Sequence, residues 1–146
     1  SREFTALGTV IDVAVLAGGA LLASIDLHGA VRTWSAKSGA LMRMLSPASA
    51  GPIGRYRVLK ASGDLLFALA WGKVSVWNAT SGVLVRQLID FPYILRDFAI
   101  SDGGREVVAC GDEEEVVLWE VASGEQLRLG TRREQRWSGG PHECVV

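Results

Sequence analysis

A short motif recurs three times in this chain, and its period limits the folds that the chain can adopt. The copies occupy residues 34–45, 77–88 and 119–130, and each begins with tryptophan. The tryptophans are 43 and 42 residues apart, and the Trp, Ser, Gly and Arg of the motif keep their offsets in every copy. A period of this length indicates an array of supersecondary units that are stable only when stacked.

Each repeat contains four short apolar segments separated by turn residues, which predicts four strands per repeat. The Ser-Gly pair after each tryptophan is typical of a tight antiparallel connection, because its glycine can adopt positive φ. No stretch has a helical period, so the sequence predicts an all-β chain of three four-stranded antiparallel sheets. The predicted strands are residues 10–16, 21–27, 30–36, 40–45, 55–61, 65–71, 74–79, 83–89, 94–100, 106–111, 116–121 and 125–129.

The composition restricts the classes of partner. Hydrophobic residues make up 49% of the 146 residues, and the net charge is only -1. No strong field therefore draws the chain to nucleic acid or to an anionic membrane. The longest uncharged apolar run, residues 13–25, is shorter than the roughly 20 residues that span a bilayer. Two cysteines are too few for a disulfide framework, so we expect a buried thiol at Cys110 and an intracellular, cytoplasmic location.

The ends of the chain look like parts of neighbouring units. Residues 1–8 are predicted to form the last strand of a preceding unit, and residues 131–146 a loop and the start of a next one. The complete units are residues 9–45, 46–89 and 90–130. We therefore expect either further units in a longer chain or self-association to complete the array.

The motif resembles the repeats of the WD-repeat β-propeller family. The resemblance depends on each tryptophan, on the Ser-Gly turn and on the valine three residues before each tryptophan, which is Val31, Val74 or Val116. It implies four-stranded blades packed face to face as part of a larger propeller, since closed propellers typically have four to eight blades.

The repeats also depart from the family pattern. The Asp expected after each tryptophan is replaced by Ser35, Asn78 and Glu120. The Asp expected six residues before it is replaced by His28, Trp71 and Glu113. The buried polar network of the family is therefore expected to be mostly absent, with apolar packing in its place.

The sequence contains no pattern of residues that predicts catalysis. The two histidines, His28 and His142, lie in turn or loop positions outside any nucleophile or metal-ligand motif. His142 and Cys144 supply two soft ligands, whereas a zinc site needs about four. We therefore expect no enzymatic activity, no cofactor and no metal site.

The resemblance implies one surface that binds proteins. In a propeller, the turns between second and third strands lie on the same side as the connections between blades, and the family often uses this side for partners. Trp71 fits either a packed strand end or an exposed aromatic anchor. The acidic run 112–115 and the arginines after residue 131 fit either solvated loops or patches for charged partners. The candidate protein-binding residues are His28, Trp71, Lys73, Phe91, Tyr93, Asp112, Glu113, Glu114, Arg132 and Arg133.

Two functions therefore remain open. The first is a non-enzymatic scaffold that presents one loop face of a propeller to partner proteins. The alternative is a regulatory or sensor propeller domain of a larger multidomain enzyme or signalling ATPase.

Overall fold

The computed structural model describes residues 9–46, 58–70, 73–88, 95–111 and 116–130, with side chains up to residue 127. These residues form three antiparallel sheets of four strands each, which confirms the predicted fold class. Each observed strand overlaps one predicted strand. The strands are β1 (Val10–Leu16), β2 (Leu21–Asp26), β3 (Val31–Ser35), β4 (Leu41–Ser46), β5 (Val58–Ser62), β6 (Leu65–Ala70), β7 (Lys73–Asn78), β8 (Val83–Leu88), β9 (Leu95–Ile100), β10 (Glu106–Gly111), β11 (Val116–Glu120) and β12 (Gln126–Gly130).

Strand order follows the sequence within every sheet, so each sheet is a simple meander. The first strands of consecutive sheets, β1 with β5 and β5 with β9, lie side by side. The first strands therefore form the inner side of the array, and the fourth strands form its outer edge. Short 3-10 turns at Ala17–Gly19 and Asp102–Gly104 connect the first two strands of the first and third sheets.

Two apolar cores hold the sheets together, one between each consecutive pair. Between the first and second sheets, Leu16 and Ile25 pack with Leu66 and Trp77. We call the side of a sheet that carries its repeated tryptophan the Trp face, and the other side the opposite face. In both cores a Trp face packs on the opposite face of the preceding sheet, as Trp119 does on the second sheet.

The repeated Ser and Gly build the same turn between the third and fourth strands of every sheet. Each repeated Ser accepts a hydrogen bond from the amide two residues later, at 3.1–3.3 Å. Each repeated Gly donates its amide to the carbonyl four residues earlier, at 2.8 Å. Gly39, Gly82 and Gly124 have φ values of 78°, 80° and 75°, a region that residues with a Cβ rarely adopt.

The repeated Arg joins one sheet to the next, a contact that we call the arginine bridge. Arg43 Nε on β4 donates to the carbonyl oxygen of Thr80 at 3.3 Å, and Arg86 Nη2 on β8 donates to that of Ala122 at 2.9 Å. Both acceptors lie in the β3–β4-type turn of the following sheet. A Cβ on Gly82 would lie 3.0 Å from Cδ of Arg43, so the repeated Gly also leaves room for the bridge.

Two further hydrogen bonds join the first and second sheets near their inner strands. The amide of Leu59 donates to Oδ2 of Asp12 at 2.8 Å, and the amide of Ala17 donates to the carbonyl of Gly63 at 3.0 Å. The first pair of sheets is therefore linked at both the inner side and the outer edge.

The prediction of a free buried thiol at Cys110 is wrong. Cys110 is buried as predicted, but it is disulfide-bonded. The other cysteine of the sequence, Cys144, lies outside the described residues.

Among the residues that the structure describes, no helix is long and apolar enough to cross a membrane.

The arginine bridge predicts an unequal effect of alanine at two glycines that both have positive φ. Gly63→Ala meets no atom within 4 Å, so only the strained backbone lowers the free energy of unfolding, by about 1 kcal/mol. Gly82→Ala has the same backbone strain and also displaces Arg43. It should therefore lower the free energy of unfolding by about 1 kcal/mol more than Gly63→Ala does. Urea unfolding of both variants measures the difference. In an Arg43→Ala background the two glycine substitutions should cost the same; an unchanged difference would exclude the bridge as its cause.

Thr33 predicts a stabilising substitution. Its side chain is 1% exposed, and its hydroxyl has no hydrogen-bond partner among the described residues. Val76 occupies the equivalent position of the second sheet and is fully buried. Thr33→Val should therefore raise the free energy of unfolding by about 1 kcal/mol, because an unsatisfied buried hydroxyl is removed. Thr80→Val, at an exposed position, is the control and should change it by less than about 0.5 kcal/mol; equal effects would argue against the explanation.

Candidate interaction surface

The meander places two kinds of connection at opposite ends of each sheet. At one end, the amide of Ala36 in the β3–β4 turn donates to the carbonyl of Ala20 in the β1–β2 turn, at 3.0 Å. At the other end, the amide of Leu27 in the β2–β3 turn donates to the carbonyl of Thr9, just before β1, at 2.9 Å. We call this second end the loop end, since it carries the β2–β3-type turns and the connections between sheets.

Two of the candidate binding residues lie among the described residues, and both are at the loop end. His28 is exposed in the β2–β3 turn, and Lys73 is half-buried at the start of β7, paired with Ala70. The remaining candidates lie outside the described residues, so their role stays a prediction: Trp71, Phe91, Tyr93, Asp112, Glu113, Glu114, Arg132 and Arg133.

Asp26 organises the turn that carries His28. Its Oδ1 accepts hydrogen bonds from the amides of His28 at 2.9 Å and Ala30 at 3.0 Å. Its Oδ2 lies 3.0 Å from Nη1 of Arg32, and the two side chains are only 2% and 6% exposed. Burial works against ionisation of Asp26, but the bond from Arg32 and the two amides outweigh it and lower the pKa of the carboxyl below its ordinary value of 3.8.

The sequence reasoning missed this ion pair, although a signal was present. Asp26 is the last residue of β2, and the corresponding last residues of β6 and β10 are Ala70 and Gly111. A comparison of the repeats position by position would therefore have singled out Asp26 as a charged residue where the other repeats have small ones. Arg32 likewise corresponds to Ser75 and Val117, so the described equivalents of this pair carry no charge in the other two sheets.

The first sheet also retains one polar contact of the kind that the family resemblance implies. Nε1 of Trp34 donates to Oγ of Ser24 at 2.9 Å, and both side chains are buried. By strand register, Ala68 and Ala109 stand at the position of Ser24 in the other sheets and have no hydroxyl to accept such a bond. These two positions therefore cannot make the Ser–Trp hydrogen bond of the first sheet.

The β2–β3-type turns differ in length, which corrects the comparison of His28, Trp71 and Glu113 as equivalent residues. The strand pair Ile25 and Val31 encloses five residues, whereas Leu69 and Val74 enclose four. His28 is thus three residues after the last core position of its strand, and Trp71 only two. An equal distance from the tryptophan does not give these residues an equal place in the turn.

Comparison with known proteins gives similarity in structure alone. No protein-family model matches the sequence, and no curated protein matches it either. The β-propeller domain of Myceliophteria thermophila Cps50 (Swd1) is similar, with a TM-score of 0.71 and 21% identity over 86% of this chain and 40% of that one. The three sheets are β-propeller blades. At 21% identity the likeness shows the fold only, and this chain spans less than half the length of that propeller domain.

Two computationally designed proteins have similar structures. The Ika4 protein has a TM-score of 0.68 and 19% identity, over 88% of this chain and 78% of Ika4. The Ika8 protein has a TM-score of 0.63 and 21% identity, over 79% of this chain and 35% of Ika8.

In the described residues no group of three or more His, Cys, Asp or Glu side chains is placed to hold a metal ion.

The Asp26–Arg32 pair predicts a loss of stability that depends on pH. Since the pKa of Asp26 is lower in the folded chain than its ordinary value of 3.8, its ionised form stabilises the fold above that pH. That contribution is lost as the pH falls through the folded pKa. Asp26→Asn leaves Arg32 buried without its counter-charge and should lower the free energy of unfolding at neutral pH by about 3 kcal/mol.

Chemical denaturation at a series of pH values checks this prediction. The difference in the free energy of unfolding between wild type and Asp26→Asn should become smaller in acid, because the wild-type carboxyl is then protonated and uncharged like the asparagine side chain. Asp64→Asn, at an exposed turn position, is the control and should change stability by less than about 0.5 kcal/mol. A wild-type-like stability of Asp26→Asn at neutral pH would show that the pair contributes little.

Proposed function

We propose that this chain is a non-enzymatic interaction module that presents its loop end to partner proteins. The supporting observation is the contrast between the two ends of the sheets. The β3–β4-type turns repeat the Ser-Gly pair, the same hydrogen bonds and the same positive-φ glycine. The β2–β3-type turns differ in length, and among the described residues the turn of the first sheet is held by a buried ion pair. Variation at one end of a regular scaffold is typical of a binding surface.

We further propose that the chain is a degenerate WD-repeat propeller. Support comes from the repeated Trp, the Val three residues before it and the Ser-Gly turn, together with the Trp34–Ser24 hydrogen bond. No enzymatic activity or cofactor is part of the proposal, because neither histidine belongs to a catalytic or metal-ligand pattern in the sequence.

The alternative is a regulatory or sensor propeller domain of a larger enzyme or signalling ATPase. The chain matches 40% of the Cps50 propeller domain, and further blades or domains in a longer chain are compatible with this structure. The same loop end would then contact the catalytic domain. The length of the complete gene distinguishes the two functions.

The expected partners are proteins rather than nucleic acids or membranes, because a net charge of -1 gives no strong overall positive field to attract phosphate groups. We place the protein inside the cell, in the cytoplasm, as a proposal. The disulfide at Cys110 argues the other way, since disulfides persist mainly in oxidising compartments. Thiol alkylation in intact cells, followed by mass spectrometry, decides the point: an unalkylated, oxidised Cys110 would contradict a cytoplasmic location.

A pair of variants at opposite ends of the sheets tests the loop-end proposal. Trp71→Ala combined with Lys73→Ala should weaken partner capture in a pull-down by at least about tenfold, the effect of losing one aromatic anchor. Lys37→Ala changes an exposed lysine in the β3–β4 turn, at the far end, and should leave capture unchanged. Equal capture by wild type and the double variant, or a loss with Lys37→Ala alone, would contradict the proposal.

A further inference from the structure

Cys110 lies at the loop end of the third sheet and carries a disulfide bond. It pairs with Val116, the first residue of β11. By the same register, Leu69 holds this position in the second sheet, where it is buried against the third sheet. In the described part of the chain no sheet follows the third, yet Cys110 is only 4% exposed. Its low exposure therefore points to its disulfide partner, and to the residues around that partner, as the group that covers it.

The opposite face of the third sheet offers such a cover an apolar surface. Val108 lies two residues before Cys110 on the same face of β10, and it pairs across strands with Leu118. Both of these side chains are half-buried. Their equivalents in the second sheet, Phe67 and Val76, are fully buried against the third sheet. A segment held at Cys110 would therefore remove more apolar surface from water than the disulfide alone does.

The strand register places the end of β12 close to Cys110. Gly130 pairs with Val116 and Val116 pairs with Cys110, so the three residues form one row across the sheet. Two strand spacings, about 10 Å, separate Gly130 from Cys110. The one other cysteine of the sequence, Cys144, comes 14 residues after Gly130. An extended chain of that length reaches about 45 Å, so it can return to Cys110 with enough slack to pack on the face.

We propose that Cys144 is the disulfide partner of Cys110, and that their bond is a redox-sensitive tether that holds residues 131–144 over the opposite face of the third sheet. Disulfides of cytosolic proteins are usually transient and redox-sensing. In the cytoplasmic location proposed above, the tether is therefore open at rest and closes under oxidising conditions. Arg132 and Arg133 lie in the tethered segment, so the redox state also determines whether these two candidate binding residues are held at the loop end. This last consequence rests on the proposed function, whereas the tether itself does not.

A small thiol opens the tether by two exchange reactions. Because Cys110 is buried, the small thiolate attacks the sulfur of Cys144, and Cys110 leaves as a thiolate that takes up a proton. A second small thiolate then displaces the first from Cys144, which also leaves as a thiolate and takes up a proton. Two small thiols are thereby oxidised to their disulfide. The same small disulfide closes the tether by the reverse reactions.

Peptide mapping tests the pairing of the cysteines. Trypsin should place Cys110 in peptide 106–128 and Cys144 in the peptide that begins at Trp137. The full chain is equilibrated with the disulfide form of a small thiol, unfolded, alkylated at free thiols and digested without reductant. The two peptides should be joined and should separate on reduction. Alkylation of both cysteines, or a link between the Cys110 peptides of two chains, would overturn the proposal.

Digestion of the folded chain by trypsin tests whether the bond holds the segment. Reduction should speed cleavage within the segment by at least about tenfold, because cleavage follows the population of the open form. Cleavage at Lys37, exposed in the β3–β4 turn of the first sheet, is the internal control and should keep its rate. Equal rates within the segment before and after reduction would overturn the proposal. The cleavable residues of the segment are Arg132, Arg133 and Arg136.

Thiol reactivity tests whether the cover depends on the bond. In the Cys144→Ser variant, the Cys110 thiol should be alkylated at a rate within about tenfold of that in the urea-unfolded chain. The matched control is Leu69→Cys in a Cys110→Ser, Cys144→Ser background, since Leu69 holds the same position but is covered by the third sheet. The thiol of this control should react at least about a hundredfold more slowly than in the unfolded chain. Circular dichroism verifies that both variants fold. A Cys110 thiol as protected as that of the control would overturn the proposal.

Discussion

The burial of one sheet face against the next is the interaction on which the structure depends. Every four-stranded sheet is apolar on both faces, so a single sheet cannot exclude water from its own core. Trp77 and Trp119 extend across the gap to the preceding sheet, and they are 6% and 2% exposed as a result. The stability of each repeat is therefore shared with its neighbours, as in other repeat proteins. It also follows that the first and last faces of any open array have no neighbouring sheet to bury them.

The repeated motif supplies the residues that join neighbouring sheets. In the second and third sheets its Trp supplies the apolar contact with the preceding sheet, and in all three its Ser and Gly shape the turn between the third and fourth strands. In the first and second sheets its Arg donates to the turn of the following sheet, beside a glycine with no side chain to obstruct it. Four residues that keep their spacing thus encode one turn and the contacts on both of its sides. This accounts for their repetition in a chain whose loop-end residues vary.

The sequence was sufficient to predict the fold class and all twelve strands, because the apolar segments and turn residues repeat with one period. It could not predict contacts that depend on register. Arg128 has the same offset from its tryptophan as Arg43 and Arg86 have from theirs. Arg43 and Arg86 pair with the residue immediately before their tryptophan, whereas Arg128 pairs with Val117, two residues before Trp119. Bulges in β4 and β8 cause this difference, and the spacing of the motif does not predict them. The Asp26–Arg32 pair was missed for a related reason, since its partners meet only once two strands are aligned.

The position of the arginine bridge gives it mechanical importance beyond the strength of one hydrogen bond. The first strands β1 and β5 lie side by side at the inner side, where the Asp12–Leu59 contact acts as a pivot, while the bridge joins the outer strand β4 to the next sheet. Any motion that fans two sheets apart about this pivot moves the outer edge farthest. A bond at the edge therefore has the longest lever arm against such opening, and it fixes the angle between sheets more firmly than the same bond would near the axis. Whether an array of these sheets closes after a given number of units is determined by that angle.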